Sequence, residues 1–199
     1  MKILEFKNQS KASKLARQLL AEAVRNEPAI TKDIQEAAKL ENAKVVGLEN
    51  KFESESSLVR KLTDNSIVRG ISVWKIAKQN NDTLRYTIIF SPENYRQDYN
   101  SILNFLDKKG YRIQKIWNAW SNENRDTDTG FRGINVTVIS SQSQKFELQF
   151  HTEESFRLKT ETHDLYEERR NPKISKERDA EIRGIMKKLA AEIERPKGV

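Results

Sequence analysis

The stretch from Lys145 to Arg170 constrains the fold of this chain more than any other part of the sequence. It begins with KFELQFH, in which Phe146, Leu148 and Phe150 alternate with polar residues. A period of two is typical of a β-strand with one apolar and one polar face. The next three residues, TEE, predict a helix start, because a threonine can cap the first turn and carboxylates favour a helix N-terminus.

The polar side of this stretch carries side chains suited to chemistry. The strand presents Glu147, Gln149 and His151 on its polar face, and both histidines of the chain lie in this stretch. The helix residues that fall about one turn apart are Phe156, Lys159 or Thr160, His163 and Tyr166. A surface strand beside a half-buried histidine would give the same pattern, so the pattern alone leaves both interpretations open.

Composition limits the classes of protein to consider. The 199 residues fit one domain, with or without appendages, and the net charge of +7 suits a polyanionic ligand such as a nucleotide or RNA. The lack of cysteine excludes disulfides and thiolate metal sites. No apolar run approaches the ~20 residues of a membrane span, so we expect no membrane partner. The usual glycine-rich phosphate loops are also missing.

The order of elements along the chain predicts the architecture. Helical periodicity is found at residues 12–25, 31–39, 54–62, 92–109, 152–170 and 175–193, with one more helical piece within 64–80. Strand-like segments lie at 45–50, 84–90, 111–117, 134–139 and 145–151. We therefore expect an α+β fold in which helices flank a mixed, mostly antiparallel sheet of about five strands, with further helices at both ends of the chain.

Three sections follow from this order. Residues 1–44 are expected to form a helical lead-in, in which Glu27-Pro28 separates two helices because the residue before a proline avoids the helical conformation. Residues 45–172 are expected to form the core. Residues 173–199 are expected to form an amphipathic helix that packs on the core, with Ile182, Ile185, Met186, Leu189 and Ile193 facing inward. Residues 121–130 predict a polar loop.

A second candidate region lies at the start of the helix predicted near residue 55. Lys51, Ser57, Arg60 and Lys61 lie around its first turns. A hydroxyl group and several cations at such a position could hold a triphosphate. A solvated basic face of a helix would look the same in sequence, so both interpretations stay open here.

Four motifs within residues 45–170 resemble those of the synthetase domain of the RelA/SpoT family, which makes the (p)ppGpp alarmones. The first is Arg or Lys, then Lys, Ser and Lys at offsets of two, six and ten. It is matched by Lys51, Glu53, Ser57 and Lys61. The second is a metal-binding aspartate that begins a central strand, and Asp82 resembles it.

The other two motifs lie further along the chain. The family's Gly-Tyr-Arg-Ser motif, whose aromatic ring stacks on the acceptor base, is similar to Gly130-Phe131-Arg132-Gly133. The family's Glu-x-Gln-x-[Arg/His]-Thr strand resembles Glu147 to Thr152, and its downstream histidine resembles His163. The segments GINVTV, LQFHT and THDLYEERR are most similar in sequence to the divergent branch found in bacterial polymorphic toxins and phage-associated proteins.

Several positions depart from the family pattern. Glu53 stands in place of a phosphate-binding lysine, and Arg85 lies two places from the family's arginine. Phe131 replaces a tyrosine, which keeps the ring and loses the hydroxyl, and Asn135 replaces a histidine. A lysine before the Gly-Tyr motif has only a distant counterpart in Arg125. These changes concern the donor phosphates and the choice of acceptor more than pyrophosphate transfer itself.

The resemblance implies a chemistry and a set of residues. Related enzymes move the β,γ-pyrophosphate of ATP to a ribose 3′-hydroxyl, which requires Mg²⁺ and cations around the phosphates. The implied catalytic residues are Glu147, Asp82 and Gln149, with Asp82 and Glu147 as metal ligands and Glu147 as the base. The implied nucleotide-binding residues are Lys51, Ser57, Arg60, Lys61, Arg85, Phe131, Arg132, Asn135, His151 and His163.

Structural roles remain open for several of these residues. Asp82 could cap a turn, Arg60 and Lys61 could be surface charges, Phe131 could belong to the core, and His163 could bond to the strand.

The function implied is an ATP-dependent pyrophosphokinase that acts as a growth-inhibiting toxin, with GDP, GTP, ADP or ATP as acceptor. Two alternatives stay open: pyrophosphorylation of the tRNA 3′ end, and an inactive relative that binds nucleotide or RNA. The implied partners are ATP, an acceptor nucleotide or tRNA, and an immunity protein. The implied location is the bacterial cytoplasm, including that of a target cell after delivery.

Overall fold

The computed structural model describes residues 2–121, 130–171 and 173–199, with side chains from residue 9 onward. The helices are α1 (Lys2–Leu40), α2 (Glu55–Arg69), α3 (Val73–Gln79), α4 (Tyr95–Lys108), α5 (Glu153–Glu161), α6 (His163–Arg169) and α7 (Lys176–Ala191). The strands are β1 (Lys44–Val46), β2 (Arg85–Phe90), β3 (Arg112–Asn118), β4 (Ile134–Ile139) and β5 (Lys145–Thr152). Arg125 and most of the predicted polar loop lie outside the described residues.

The five strands form one sheet in the order β1-β2-β5-β4-β3. Strands β2 and β5 run parallel, and the other neighbouring pairs are antiparallel. This arrangement confirms the predicted α+β fold, with a mixed, mostly antiparallel sheet and helices around it. The strand predicted from the alternation in KFELQFH is the central one, so side chains of β2 and β4 lie beside those of β5.

The apolar face of β5 belongs to the main hydrophobic core. Its side chains Phe146, Leu148 and Phe150 are fully buried. Helix α4 contributes the buried residues Tyr95, Tyr99, Ile102 and Leu106 to the same cluster. Because successive strand residues point to opposite faces, burial of the three apolar side chains directs Glu147 and Gln149 to the other face of the sheet.

Helix α1 is continuous, which corrects the prediction of two helices separated at Glu27-Pro28. Pro28 lies inside the helix and is exposed, and a proline there removes one backbone hydrogen bond. Tertiary packing outweighs that loss on both sides of the proline. The residues Ala12 and Ala16 pack with α2 and α3, whereas Ile30 and Ile34 belong to the core beneath the sheet. The division of the chain at residues 44 and 172 stays a prediction.

The helix predicted over residues 152–170 is divided at Thr162 into α5 and α6, which corrects the prediction of one helix. The hydroxyl of Thr162 donates a hydrogen bond to the carbonyl oxygen of Leu158 at 2.8 Å. The backbone of Thr162 adopts φ −95° and ψ 2°, outside the helical range, so α5 ends before this residue and α6 begins after it. The cap of α5 is as predicted, because the Thr152 hydroxyl accepts from the Ser155 N–H.

Helix α7 is capped by Ser175, whose hydroxyl accepts from the Arg178 N–H at 3.1 Å. Its buried face contains Ile182 and Met186. Ile185, which was expected to face inward, is 38% exposed, so the buried stripe is narrower than predicted. Within the described part of the chain, no helix has the length and apolar character needed to cross a bilayer.

Candidate active site

The polar face of the three adjacent strands β2, β5 and β4 forms the floor of the candidate site. The register places Arg85 of β2 opposite Glu147 of β5, and Gln149 of β5 opposite Asn135 of β4. Side chains opposite one another in neighbouring strands lie within reach of each other. The sheet topology therefore brings together residues that are up to about sixty positions apart in the sequence.

A cavity of about 740 Å³ lies over this floor. Of the residues predicted for the site, its wall contains Ser57, Lys61, Asp82, Arg85, Phe131, Arg132, Asn135, Glu147, Gln149 and His163. The wall also contains residues that were not among the predicted site residues, including Glu53, Asn65, Trp117, Lys159, Tyr166 and Arg170. One cavity thus collects ten of the thirteen predicted site residues.

Glu147 is held by two neighbours on the sheet. One carboxylate oxygen accepts a hydrogen bond from Arg85 Nε, and the other accepts from Asn135 Nδ2. Burial opposes the charge on Arg85, but the carboxylates of Glu147 and Asp82 outweigh it and raise the pKa of the guanidinium. These contacts fix the orientation of the Glu147 carboxylate at the cavity floor, although the residue is only 8% exposed.

Asp82 lies just before β2 and is surrounded by donors. Lys61 Nζ donates to its carboxylate and to that of Glu53, and Asn80 Nδ2 donates to it at 2.7 Å. A guanidinium nitrogen of Arg85 lies 3.8 Å from the same carboxylate. Burial raises the pKa of Asp82, but Lys61 and Arg85 outweigh it and leave the pKa below its ordinary value. The group is therefore ionised at neutral pH.

Asp82 and Glu147 lie on either side of the Arg85 guanidinium, which contacts both carboxylates. Mg²⁺ is commonly held by one or two protein carboxylates together with phosphate oxygens of a substrate. The two carboxylates fit that mode of binding, because their oxygens are hard ligands at the cavity wall and already attract the positive charges of Lys61 and Arg85. Across residues 2–121, 130–171 and 173–199 there is no group of three or more His, Asp or Glu side chains that could hold a metal alone.

The start of α2 forms a second wall of the cavity. Ser54 caps the helix by accepting a hydrogen bond from the Ser57 N–H at 3.1 Å, as its sequence context indicates. Ser57 and Lys61, one turn apart, then face the cavity. A hydroxyl and an ammonium group are thereby presented near Asp82.

Three predicted nucleotide-binding residues are not on the cavity wall. Lys51 forms an ion pair with Glu27 of α1 at 3.4 Å, and Arg60 pairs with Glu167 of α6 at 3.4 Å. His151 has no exposed surface. Nucleotide contacts for these three residues therefore have no support from this conformation.

His151 is enclosed by side chains behind the cavity. Its Nδ1 lies 2.9 Å from Ser155 Oγ. Its ring forms T-shaped contacts with the rings of Phe131 and Phe156. Burial, with a smaller contribution from the positive charge of Lys159, lowers the pKa of His151 to about 3. The imidazole is neutral under ordinary conditions. His163, by contrast, is largely exposed at the cavity wall and lies 3.7 Å from Asp164.

Aromatic rings form one end of the cavity. Phe131 stacks on Trp117 with ring centres 5.2 Å apart and planes inclined by 23°. The preceding Gly130 has φ +66°, and a Cβ atom there would lie 2.7 Å from the carbonyl oxygen of Met186. The Nε of Arg132 donates a hydrogen bond to the Ala190 carbonyl oxygen at 3.1 Å. The Gly-Phe-Arg segment is thus anchored to α7.

Lys159 is a site residue whose role the sequence did not reveal. Its ammonium group donates a hydrogen bond to Gln149 Oε1 at 2.5 Å. Burial, with the positive charge of Arg85, lowers the pKa of Lys159 to about 8, while Glu147 opposes the shift. The spacing of Lys159 and His163 on one helix face was visible in the sequence. The contact with Gln149 depends on how α5 returns over β5, which the spacing alone does not specify.

Comparisons with known proteins bear on the fold. No protein-family model and no curated protein matches the sequence. The small alarmone synthetase 2 from Bacillus subtilis superposes with a TM-score of 0.57 at 16% identity, covering 88% of this chain and 91% of that one. The small alarmone synthetase 1 from Bacillus subtilis, bound to its product pppGpp, gives 0.56 at 13% identity, covering 87% and 88%.

A third similar structure is that of the Type VI effector Tas1 in complex with its immunity protein. It superposes with a TM-score of 0.54 at 15% identity, covering 90% of this chain and 98% of the effector chain. At such low sequence identity, structural similarity establishes the fold alone. The chain therefore has the fold of the small alarmone synthetases and of this effector, as the resemblance to RelA/SpoT synthetase domains predicted.

Proposed function

We propose that this protein is an ATP-dependent pyrophosphokinase, which transfers the β,γ-pyrophosphate of ATP to the ribose 3′-hydroxyl of an acceptor nucleotide. The observation that carries the proposal is the pair Asp82 and Glu147 on either side of Arg85, in one cavity with Lys61 and Phe131. The fold supports it, because a structure of the same fold contains the product pppGpp.

In the proposed reaction the acceptor 3′-oxygen attacks the β-phosphorus of ATP. A new bond forms between that oxygen and the β-phosphorus, the bond from the β-phosphorus to the oxygen of the α-phosphate breaks, and AMP leaves. The hydroxyl proton passes to the Glu147 carboxylate, whose position is fixed by Arg85 and Asn135. Catalysis of this kind depends mainly on alignment and on neutralising the phosphate charge.

We assign the donor phosphates to the wall formed by α2 and the start of β2. Ser57 can donate a hydrogen bond there, and Lys61 and Arg85 supply positive charge. In the described structure both cations are bound to carboxylates, so the phosphates compete with those carboxylates for them. Mg²⁺ bound by Asp82 and Glu147 would supply further charge neutralisation at the phosphates.

We assign the acceptor to the other end of the cavity. Phe131, supported from behind by Trp117, can stack on the acceptor base. Gln149 and Asn135, side by side on β5 and β4, can hydrogen-bond to the acceptor ribose between the base and Glu147. A base at Phe131 and a proton acceptor at Glu147 would align the 3′-hydroxyl with the donor.

The experiment that tests this proposal follows the label of [γ-³²P]ATP with Mg²⁺ and one acceptor at a time. The acceptors are GDP, GTP, ADP, ATP and tRNA, and the products are separated by chromatography. We expect the label on a nucleotide acceptor, with AMP released in equal amount. Labelling of tRNA alone would favour the tRNA 3′ end as acceptor, which the net charge of +7 would suit. Transfer to none would leave an inactive nucleotide- or RNA-binding protein.

We further propose that the enzyme acts as a growth-inhibiting toxin in the bacterial cytoplasm and is neutralised by an immunity protein. The support is the similarity in fold to a Type VI effector whose structure includes its immunity protein. Induced expression in a bacterial host should arrest growth. The same expression of Glu147→Gln should leave growth unchanged, and arrest by both proteins would separate toxicity from pyrophosphate transfer.

A further inference from the structure

Lys159 differs from other cations of the cavity in the partner that it contacts. Lys61, Arg85 and Arg170 each lie within ion-pair distance of a carboxylate. The hydrogen bond of Lys159 goes instead to the neutral side-chain oxygen of Gln149 at 2.5 Å. Lys159 forms no ion pair with a carboxylate of the described residues 9–121, 130–171 and 173–199.

A partly buried ammonium group without a carboxylate within ion-pair distance is costly, because desolvation penalises the charge and the more distant Glu147 offsets only part of that penalty. The lowered pKa of Lys159 reflects that cost. An anionic ligand in the cavity would supply the missing partner. Lysine is well suited to this role, since its ammonium group acts as a compact point charge with three donors for phosphate oxygens.

The position of Lys159 indicates which anion it meets. Its ammonium group is 5.7 Å from the ring centre of Phe156, and the ring of Phe156 lies against His151, which in turn lies against Phe131. Lys159 also donates to Gln149, which we assign to the acceptor ribose, so its ammonium group lies near the acceptor end of the cavity. Two of the three residues that we assign to the donor phosphates, Ser57 and Lys61, are on α2, which belongs to a different wall.

We propose that Lys159 is a specificity-determining residue that binds a phosphate on the 5′ side of the acceptor ribose, so that the site selects nucleotides over nucleosides. This inference rests on the proposed function for its division of the cavity into donor and acceptor ends. It assigns to the acceptor end a positive charge that the sequence motifs did not identify.

The test measures binding without turnover. The wild-type protein and Lys159→Gln are saturated with Mg²⁺ and α,β-methylene-ATP, which fills the donor end and cannot release AMP. Calorimetry then gives the affinities for GDP, ADP, guanosine and adenosine. A lost charge-assisted hydrogen bond should weaken the better-bound diphosphate about 10- to 100-fold and leave nucleoside binding unchanged. Lys159→Arg should recover most of the affinity.

The matched control is Arg157→Gln, which removes a cation two residues away on α5 that pairs with Glu161 at the surface. It should leave every affinity unchanged. Equal weakening of nucleosides and diphosphates by Lys159→Gln would overturn the inference, as would weaker binding of the ATP analogue alone. A wild-type protein that binds diphosphates no better than nucleosides would also overturn it. Absence of transfer in the labelled-ATP assay would refute the proposed reaction. It would not change the role of Lys159, which the binding affinities test independently of turnover.

Discussion

Acidification is expected to destabilise this fold through His151. The imidazole is fully buried, with Nδ1 at 2.9 Å from Ser155 Oγ and aromatic rings on its other sides. Protonation would place a positive charge in this apolar enclosure, close to the cation of Lys159. The folded protein therefore resists protonation at His151, while the unfolded chain does not.

The magnitude follows from the difference between two pKa values. The pKa of His151 is about 3 in the folded protein and 6.5 as an ordinary histidine. Between these values the unfolded chain binds one more proton, so the free energy of unfolding falls as the pH is lowered. The slope is about 1.4 kcal/mol per pH unit, and the full loss from pH 6.5 to pH 3 approaches about 5 kcal/mol. Above pH 6.5 this contribution is constant.

The assay is urea unfolding at half-unit steps from pH 4 to pH 7. We compare the wild type with His151→Asn, in which the amide can keep the contact with Ser155 but does not titrate. At pH 7 the variant should have a lower free energy of unfolding than the wild type, because the smaller side chain leaves a cavity. Below pH 6 its free energy of unfolding should fall less steeply than that of the wild type, by about 1.4 kcal/mol per pH unit.

Carboxylates such as Asp82 titrate in both proteins and cancel in the comparison. If the free energy of unfolding changed with pH in the same way for the wild type and His151→Asn, the conclusion that His151 is buried and uncharged would be refuted.

Three further predictions concern backbone and cation requirements. Gly130→Ala should lower the free energy of unfolding by at least about 1 kcal/mol, because a Cβ atom at φ +66° is strained and would clash with the Met186 carbonyl oxygen; unchanged urea unfolding would contradict this. Pro28→Ala should raise the free energy of unfolding by about 2 kcal/mol, because it restores a backbone hydrogen bond inside α1; a lower urea midpoint would count against a continuous helix. Removal of divalent cations with EDTA should abolish pyrophosphate transfer, and added Mg²⁺ should restore it; full activity in EDTA would exclude the proposed metal role of Asp82 and Glu147.

The sequence predicted the parts of the fold in which one local pattern is supported by burial. The alternation in KFELQFH identified both the position of β5 and the face on which Glu147 lies, because a one-residue shift would have exposed Phe146, Leu148 and Phe150. Helical periodicity over residues 92–109 likewise predicted α4, because one face of that helix is buried in the core.

The errors arose where tertiary contacts outweigh local preference. Pro28 does not end α1, since residues on both sides of it are held by separate hydrophobic clusters. The division of the predicted helix that follows β5 is local instead, because Thr162 adopts φ −95° and ψ 2°, which lie outside the helical range.

The candidate site was predicted in outline and differs in detail. The resemblance to RelA/SpoT synthetase motifs implied that Asp82 and Glu147 share one site, and the parallel pairing of β2 with β5 brings both to Arg85. Which cations face the cavity depends on partners elsewhere in the chain. Lys51 is drawn to Glu27 on α1, whereas Lys159 reaches Gln149 across the turn from β5 to α5. Such long-range partners have no signature in local sequence.

The most direct test of the proposed reaction is the initial rate of pyrophosphate transfer by Glu147→Gln. This change keeps the size of the side chain, removes its charge and its ability to take a proton, and leaves Arg85 beside Asp82. The control is Glu154→Gln, the same change at an exposed position in the first turn of α5. With both proteins folded, we expect the control to retain the wild-type rate and Glu147→Gln to be slower by about 10²- to 10⁴-fold or more. Transfer by Glu147→Gln at the wild-type rate would contradict the account.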